Sequence, residues 1–182
     1  MVIGTLREIR IQRKKREFGA EWTYATPSLM PRVVFGQGPA IAVTLEFEHQ
    51  KLRRSTLAFA DRFECQVLGE ADPRQLEQCL AYLKAYSQKR PLHIDLPLEG
   101  LPCFRTKVLS CLSQVPFGTL LTYGELAILA GSPKAARAVG SACHYNPWPL
   151  FIPCHRVIAA GGKPGGFAYH PTMKLALLDF EK

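Results

Sequence analysis

The chain has 182 residues, 47% hydrophobic and 21% charged, which is the composition of a folded globular protein and excludes a disordered or collagen-like chain. Its formal charge of +8 favours a polyanionic partner by long-range attraction without identifying one. No apolar run approaches the ~18 residues of a membrane span and no secretory signal is legible, so a reducing cytosol with free thiols is the expected compartment.

The opening stretch, MVIGTLREIRIQRKKREF, clusters Arg7, Arg10, Arg13, Lys14, Lys15 and Arg16. It reads as a solvated basic segment, with phosphate contacts or a nuclear address as the alternatives. AIAVTLEFEH and LRRSTLAFADRFECQVLG are rich in β-branched and aromatic residues with partial alternation, which predicts antiparallel strands. In ADPRQLEQCLAYLKAYSQKR the period changes. Asp72 suits an N-cap, Pro73 the first helical position and Gln75 the far side of a capping box, and Leu76, Cys79, Leu80, Leu83 and Tyr86 follow at helical spacing. Three prolines and a glycine in RPLHIDLPLEGLP read as a linker, which places a domain boundary near Gly100 and divides the chain into 1–99 and 100–182. The fold class is α/β (α+β), an amino-terminal antiparallel sheet with a helix followed by a mostly helical carboxy-terminal domain.

In the second half, Phe104, Val108, Leu112 and Val115 fall on one helical face, and PFG ends that helix. Thr122 and Glu125 form a second capping box for a short helix that stops near Gly131, after which Ser132 and Pro133 are placed to cap another, KAARAVGSACHY, halted by NPWP. Two short helices joined by a tight glycine-containing turn have the form of a helix-turn-helix, although such pairs also occur in cores. Ala135, Ala136, Ala138, Gly140, Ser141 and Ala142 leave the second helix nearly bare, so its backbone can approach another surface closely. Arg137 is the one long cation projecting from its middle.

Six cysteines, Cys65, Cys79, Cys103, Cys111, Cys143 and Cys154, include no CxxC pair and no zinc-type Cys/His spacing, so neither a metal site nor a disulfide framework is expected. Cys154 stands out by its neighbours. In FIPCHRVIAAGG an apolar run is broken by Cys154, His155 and Arg156, and burying an imidazole and a guanidinium without partners would cost several kcal/mol. A basic neighbour helps a thiol become the thiolate that attacks carbon. Adjacent residues of a strand point to opposite faces, so His155 reaches the sulfur only through a water or a turn.

Three blocks, PFGTLLTYGELA, GSPKAARAVGSACHYNPWP and IPCHRVIAAGG, with a weaker fourth, MKLALLDFE, resemble the O-alkylguanine-DNA alkyltransferases, also called methylated-DNA–protein-cysteine methyltransferases. They cover most of Pro116 to Glu181. The resemblance implies single-turnover transfer of an alkyl group from guanine O6 in duplex DNA to a cysteine, after base flipping and without a cofactor. It implies Cys154 as nucleophile, His155 as its activator through a water, Glu181 as the group that orients His155, and Asn146 as a hinge asparagine. Arg137 takes the place of the arginine that enters the base stack and Tyr123 that of the tyrosine that assists flipping, with Ala136 and Gly140 at the DNA. Val157, through its backbone, and Phe167, Ala168 and Cys143 correspond to the guanine pocket. By the same resemblance, 1–99 is a ribonuclease-H-like domain, and the protein is a monomer without an obligate protein partner or membrane, cytoplasmic, or nuclear in a eukaryote.

One loop departs from the family pattern. In GFAYH, two glycines are replaced by Tyr169 and His170, followed by Pro171, and the bulk of the replacements predicts a narrowed pocket that favours methyl over benzyl adducts. The alternative is a loop turned outward by Pro171. Cys143, where the family often has methionine, is a milder change. Three other functions compete: a non-catalytic alkyltransferase-like binder of alkylguanine, a Cys-His hydrolase, which leaves the arginine-bearing helix unexplained, and a helix-turn-helix regulator, which leaves the cysteine site unused.

Overall fold

The computed structural model describes residues 32–90 and 92–182, together with the backbone of Arg13–Lys15 and Ala20–Trp22. The basic opening segment otherwise lies outside the described residues. The chain divides into two compact units between Ser87 and Gln88. That division precedes Gly100, so the Pro-rich stretch groups with the second unit.

In the first unit, β1 (Arg13–Lys15) pairs antiparallel with β2 (Ala20–Trp22). A separate four-stranded sheet contains β3 (Arg32–Val34), β4 (Ile41–Glu48), β5 (Lys51–Phe59) and β6 (Glu64–Leu68) in the order β3-β6-β4-β5. The alternation of β4 puts Ile41, Val43, Leu45 and Phe47 into the core. β4 and β5 form the expected antiparallel hairpin, but β4 and β6 pair in parallel, which corrects the all-antiparallel reading. The cause is topological. After β5 the chain reverses within a few residues, so β6 runs with β4, and its mostly buried side chains take it to the inner edge of β4. α1 (Pro73–Ser87) buries Leu76, Cys79, Leu80, Leu83 and Tyr86, with the Tyr86 ring 6.0 Å from Phe63. The Asp72 carboxylate accepts from the Gln75 N–H at 2.9 Å, as a cap should. The other half of the expected capping box is not made, because the Gln75 side chain accepts from the Leu52 N–H at 2.6 Å and so ties α1 to β5.

In the second unit, α2 (Cys103–Ser113) buries Val108, Leu109 and Leu112. A two-residue strand, β7 (Leu121–Thr122), leads directly into α3 (Tyr123–Leu129), whose capping box is complete: the Glu125 N–H donates to Thr122 Oγ1 at 3.2 Å and the Thr122 N–H to Glu125 Oε2 at 2.7 Å. α4 (Ala136–His144) starts later than Ser132 and has no side-chain cap. Ser132 and Pro133 instead begin a turn closed by the Ala135 N–H on the Ser132 carbonyl at 2.9 Å, where the fixed φ of proline suits the second position. β8 (Val157–Ile158) pairs parallel with β7, joining the segment ahead of Tyr123 to the segment behind Cys154, and α5 (Pro171–Phe180) completes the unit. Among the described residues, no helix is long and apolar enough to cross a membrane.

Candidate active site

Cys154 opens a 3₁₀ turn, Cys154–Arg156, immediately before β8. Within this turn Cys154 lines the cavity described below, while His155 Nε2 meets Glu181. Just upstream, Leu150 holds a left-handed φ of 75° with its side chain fully buried, a strained geometry sustained by packing. Asn146 Nδ2 donates to the Ile152 carbonyl at 2.8 Å and to Cys154 Sγ at 3.3 Å, while its Oδ1 accepts from the Trp148 N–H at 3.0 Å. One amide therefore fixes the bend and contacts the sulfur. Burial pushes the Cys154 thiol up, opposed by the Asn146 hydrogen bond, the Lys174 cation and the backbone N–H groups of Cys154 and His155.

Behind the cysteine lies a buried charge cluster. His155 Nε2 is 2.7 Å from Glu181 Oε1, and Arg156 donates to the same carboxylate through Nε at 2.7 Å and Nη2 at 2.9 Å. Arg156 Nη1 donates to the Val115 carbonyl at 2.5 Å, and its guanidinium lies 5.6 Å from the Phe117 ring centroid. The Gly118 N–H donates to Glu181 Oε2 at 3.0 Å from a backbone with φ of 73°, where an added Cβ would sit 2.9 Å from the Glu181 carbonyl. An ionised Glu181 accepts from Nε2–H and so sets a tautomer in which Nδ1 carries the lone pair. Nδ1 is buried and makes no hydrogen bond among the described residues. Burial pushes Glu181 up, but hydrogen bonds and charge from His155 and Arg156 outweigh it and hold the carboxyl well below its ordinary range. Burial also holds His155 below its ordinary value.

Cys154 opens onto a cavity of about 460 Å³ lined by Tyr123, Ala136, Arg137, Gly140, Cys143, His144, Gly166, Phe167 and Ala168. Nine residues singled out from the sequence, counting Cys154, line or face this cavity or contact the sulfur. His155 and Glu181 stand behind it. Val157 is fully buried and does not line the cavity; its carbonyl accepts from Lys174 Nζ at 2.6 Å. Tyr169 and His170 do not line it either, which overturns the predicted narrowing. His170 is drawn outward as the N-cap of α5, its Nδ1 accepting from the Thr172 N–H at 3.3 Å with Pro171 in the first turn, and Tyr169 packs on Phe167 at 5.5 Å. Among the described residues, no cluster of three or more His, Cys, Asp or Glu side chains is placed to hold a metal ion.

Three contributors escaped the sequence reading. Arg156, costly to bury alone, has its carboxylate partner 25 residues away, beyond the reach of local pattern. His144 lies on the cavity wall. Lys174 is 1% exposed, donates to the carbonyls of Val157 and Gly166, the latter at 3.1 Å, and joins β8 to the loop that carries Phe167. Its available signal was a lysine three residues before buried Leu177 on an apolar helical face. Burial lowers its pKa, while the two nearby thiols Cys154 and Cys143 favour its charge.

Tyr123 is gripped between glycines. Its hydroxyl donates to the Gly166 carbonyl at 3.2 Å, and a Cβ on Gly165, at φ of 73°, would lie 3.0 Å from Tyr123 Cε2 and 3.3 Å from the Ala159 nitrogen. Gly165→Ala is expected to cost about 1–2 kcal/mol from the left-handed backbone alone. Urea unfolding measures that cost, and a shifted Tyr123 phenol resonance would report the displaced ring.

Fold and site together define a protein that presents a buried cysteine, backed by a His-Glu pair, in a cavity walled by a helix-turn-helix. Residues 103–182 match the family model described as 6-O-methylguanine DNA methyltransferase, DNA binding domain. The chain is 46% identical over 90 residues to a probable methylated-DNA–protein-cysteine methyltransferase of Acanthamoeba polyphaga mimivirus, covering 50% of this chain and 59% of that protein. It is 39% identical over 113 residues to the Mycobacterium bovis methylated-DNA–protein-cysteine methyltransferase, covering 61% of this chain and 68% of that one. A crystal structure of Mycobacterium tuberculosis OGT in complex with DNA superposes with a TM-score of 0.56 at 28% identity, over 77% of this chain and 92% of the other. The chain belongs to the methylated-DNA–protein-cysteine methyltransferase family. It spans 50% to 59% of the length of five relatives, from the mimivirus and four mammals.

Proposed function

We propose that this protein repairs DNA directly, moving an alkyl group, methyl above all, from guanine O6 in a duplex onto its own Cys154, once per molecule. The observation that supports the reading is the cavity, whose lining includes Cys154 together with Tyr123 of α3 and Ala136, Arg137 and Gly140 of α4. In the reaction, the thiol proton passes through a water toward His155 Nδ1, the thiolate attacks the alkyl carbon, and the C–O6 bond breaks as S–C forms. The electron pair leaves on the guanine, which takes up a proton. Glu181 stabilises the charge on His155, and Asn146 and Lys174 stabilise the thiolate. A thioether has no easy hydrolytic exit, so the acceptor is consumed.

The target carbon lies inside a duplex, and extrusion costs a few kcal/mol. Arg137 supplies a planar cation to fill the stack, and small residues beside it let α4 approach the minor groove. The partner on this reading is duplex DNA carrying alkylguanine, and the family likeness adds a monomer acting in the cytoplasm, or the nucleus of a eukaryote. With Tyr169 and His170 outside the cavity, His170→Gly is expected to leave the benzyl-to-methyl rate ratio unchanged, as measured on the two alkylated guanine bases. The reading is tested by incubating the protein with a duplex that carries radiolabelled O6-methylguanine. Label should move stoichiometrically onto Cys154 without turnover, and Cys154→Ala should bind duplex without accepting label. Label on another cysteine, or none on any, would overturn it.

A further inference from the structure

Cys143 is a second thiol on the wall of the cavity that holds Cys154, and the transfer reaction makes no use of its sulfur. Both residues are packed deeply, 7% and 5% exposed, yet they border the same space. Asn146 bridges their positions: its backbone N–H donates to the Cys143 carbonyl at 3.3 Å and its side chain to Cys154 Sγ at 3.3 Å. The two sulfurs also share an electrostatic surrounding, since both act on Tyr123 and on Lys174.

We propose that Cys143 is a resolving thiol, which closes a reversible disulfide with Cys154 when the cavity meets a hydroperoxide. In the first step the Cys154 thiolate displaces hydroxide from the peroxide and becomes a sulfenic acid. In the second, the Cys143 sulfur attacks that sulfenic sulfur, the S–S bond forms and water leaves. Two thiols and one hydrogen peroxide give one disulfide and two waters, so sulfur is oxidised by two electrons and the peroxide reduced by two. Burial pushes Cys143 up to about 12 and raises Cys154 as well, so thiolate is scarce and the first step is slow. The second is intramolecular and benefits from a high effective concentration. Cys143 lies in the last turn of α4, where a backbone adjustment toward disulfide geometry is least costly. The disulfide halts alkyl acceptance and shields the nucleophile from irreversible oxidation, and a thiol reductant returns both sulfurs. Formation of the bond does not depend on the proposed repair function; only the consequence for alkyl transfer rests on it.

The test uses protein in which Cys103 and Cys111, the two less buried thiols outside the cavity, are replaced by serine. It is treated with hydrogen peroxide, quenched with iodoacetamide, digested and mapped by mass spectrometry. A linked Cys143–Cys154 peptide pair, lighter by two hydrogens and lost on treatment with dithiothreitol, is expected. Methyl transfer should fall with the linked fraction and return on reduction. When Cys143→Ser is added, peroxide should carry Cys154 to sulfinic or sulfonic acid, and transfer, scaled to that variant's own untreated level, should not return. A Cys65–Cys79 link in place of the expected pair, unlinked Cys154 sulfinate in the parent protein, or equal recovery with and without Cys143 would overturn the proposal. The peptide map needs no DNA, so it decides the disulfide even if alkyl transfer is absent.

Discussion

Glu181→Ala is expected to remove about 3–5 kcal/mol of stability, because it leaves the Arg156 guanidinium buried without its counter-charge. The carboxylate is 2% exposed at its side chain and accepts from Arg156, His155 and Gly118. Glu181→Gln retains part of that hydrogen bonding and should cost less. The same residues set an acid limit. His155 sits below its ordinary 6.5 through burial, and Glu181 sits below its ordinary 4.5 because hydrogen bonds and charge outweigh its burial. In both cases the unfolded chain binds protons more readily, so these contributions are complete above about pH 6.5 and decline as pH falls, first with His155 and then, below about 4.5, with Glu181. Urea unfolding from pH 8 to 3 should show this decline, with its lower part absent in Glu181→Gln. A flat profile in the parent protein would remove the cluster from the account of stability. For alkyl transfer, removing His155 or Glu181 should raise the pH needed for reaction, and the double variant should lose less than the sum, as members of one network do.

Local rules were legible in the sequence where both halves of an interaction lie within one turn of chain. The Thr122–Glu125 box and the Asp72 cap are of this kind. Where a side chain had a better long-range partner, the local reading failed, as with Gln75, which serves the Leu52 N–H. The β4–β5 reversal carries no Asn-Gly signal; His49 and Gln50 both adopt positive φ there, held by the pairing of the strands they join. The placement of β6 on the inner edge of β4 depends on which strand can be buried, a property of the whole sheet. At the candidate site, Cys154, His155, Asn146 and Arg137 are named by the resemblance, whereas Lys174 and the Arg156–Glu181 pair belong to contacts between distant segments. At Tyr169 and His170 the sequence offers bulk in the pocket or a loop turned outward, and the structure takes the second. Pro171 and the imidazole cap turn that bulk away from the cavity.

Arg137→Ala is expected to slow transfer from a duplex by roughly 100-fold while changing reaction with the free alkylguanine base little, since only the duplex demands extrusion and the few kcal/mol that accompany it. Arg137 is exposed, lies on the cavity rim and makes no ion pair among the described residues, so it is available to an incoming strand. Its neighbours Ala136, Ala138 and Gly140 leave the guanidinium as the only long side chain in that stretch of α4. Arg137→Lys separates charge from shape. It should retain the salt-dependent affinity for DNA, because the cation remains, but recover little of the duplex rate, because an ammonium lacks the plane that stacks between bases. Single-turnover rates on a methylguanine duplex and on the free base, with binding measured at two salt concentrations, supply all four readings. If the alanine variant loses the same factor on both substrates, Arg137 shapes the cavity and another group opens the duplex.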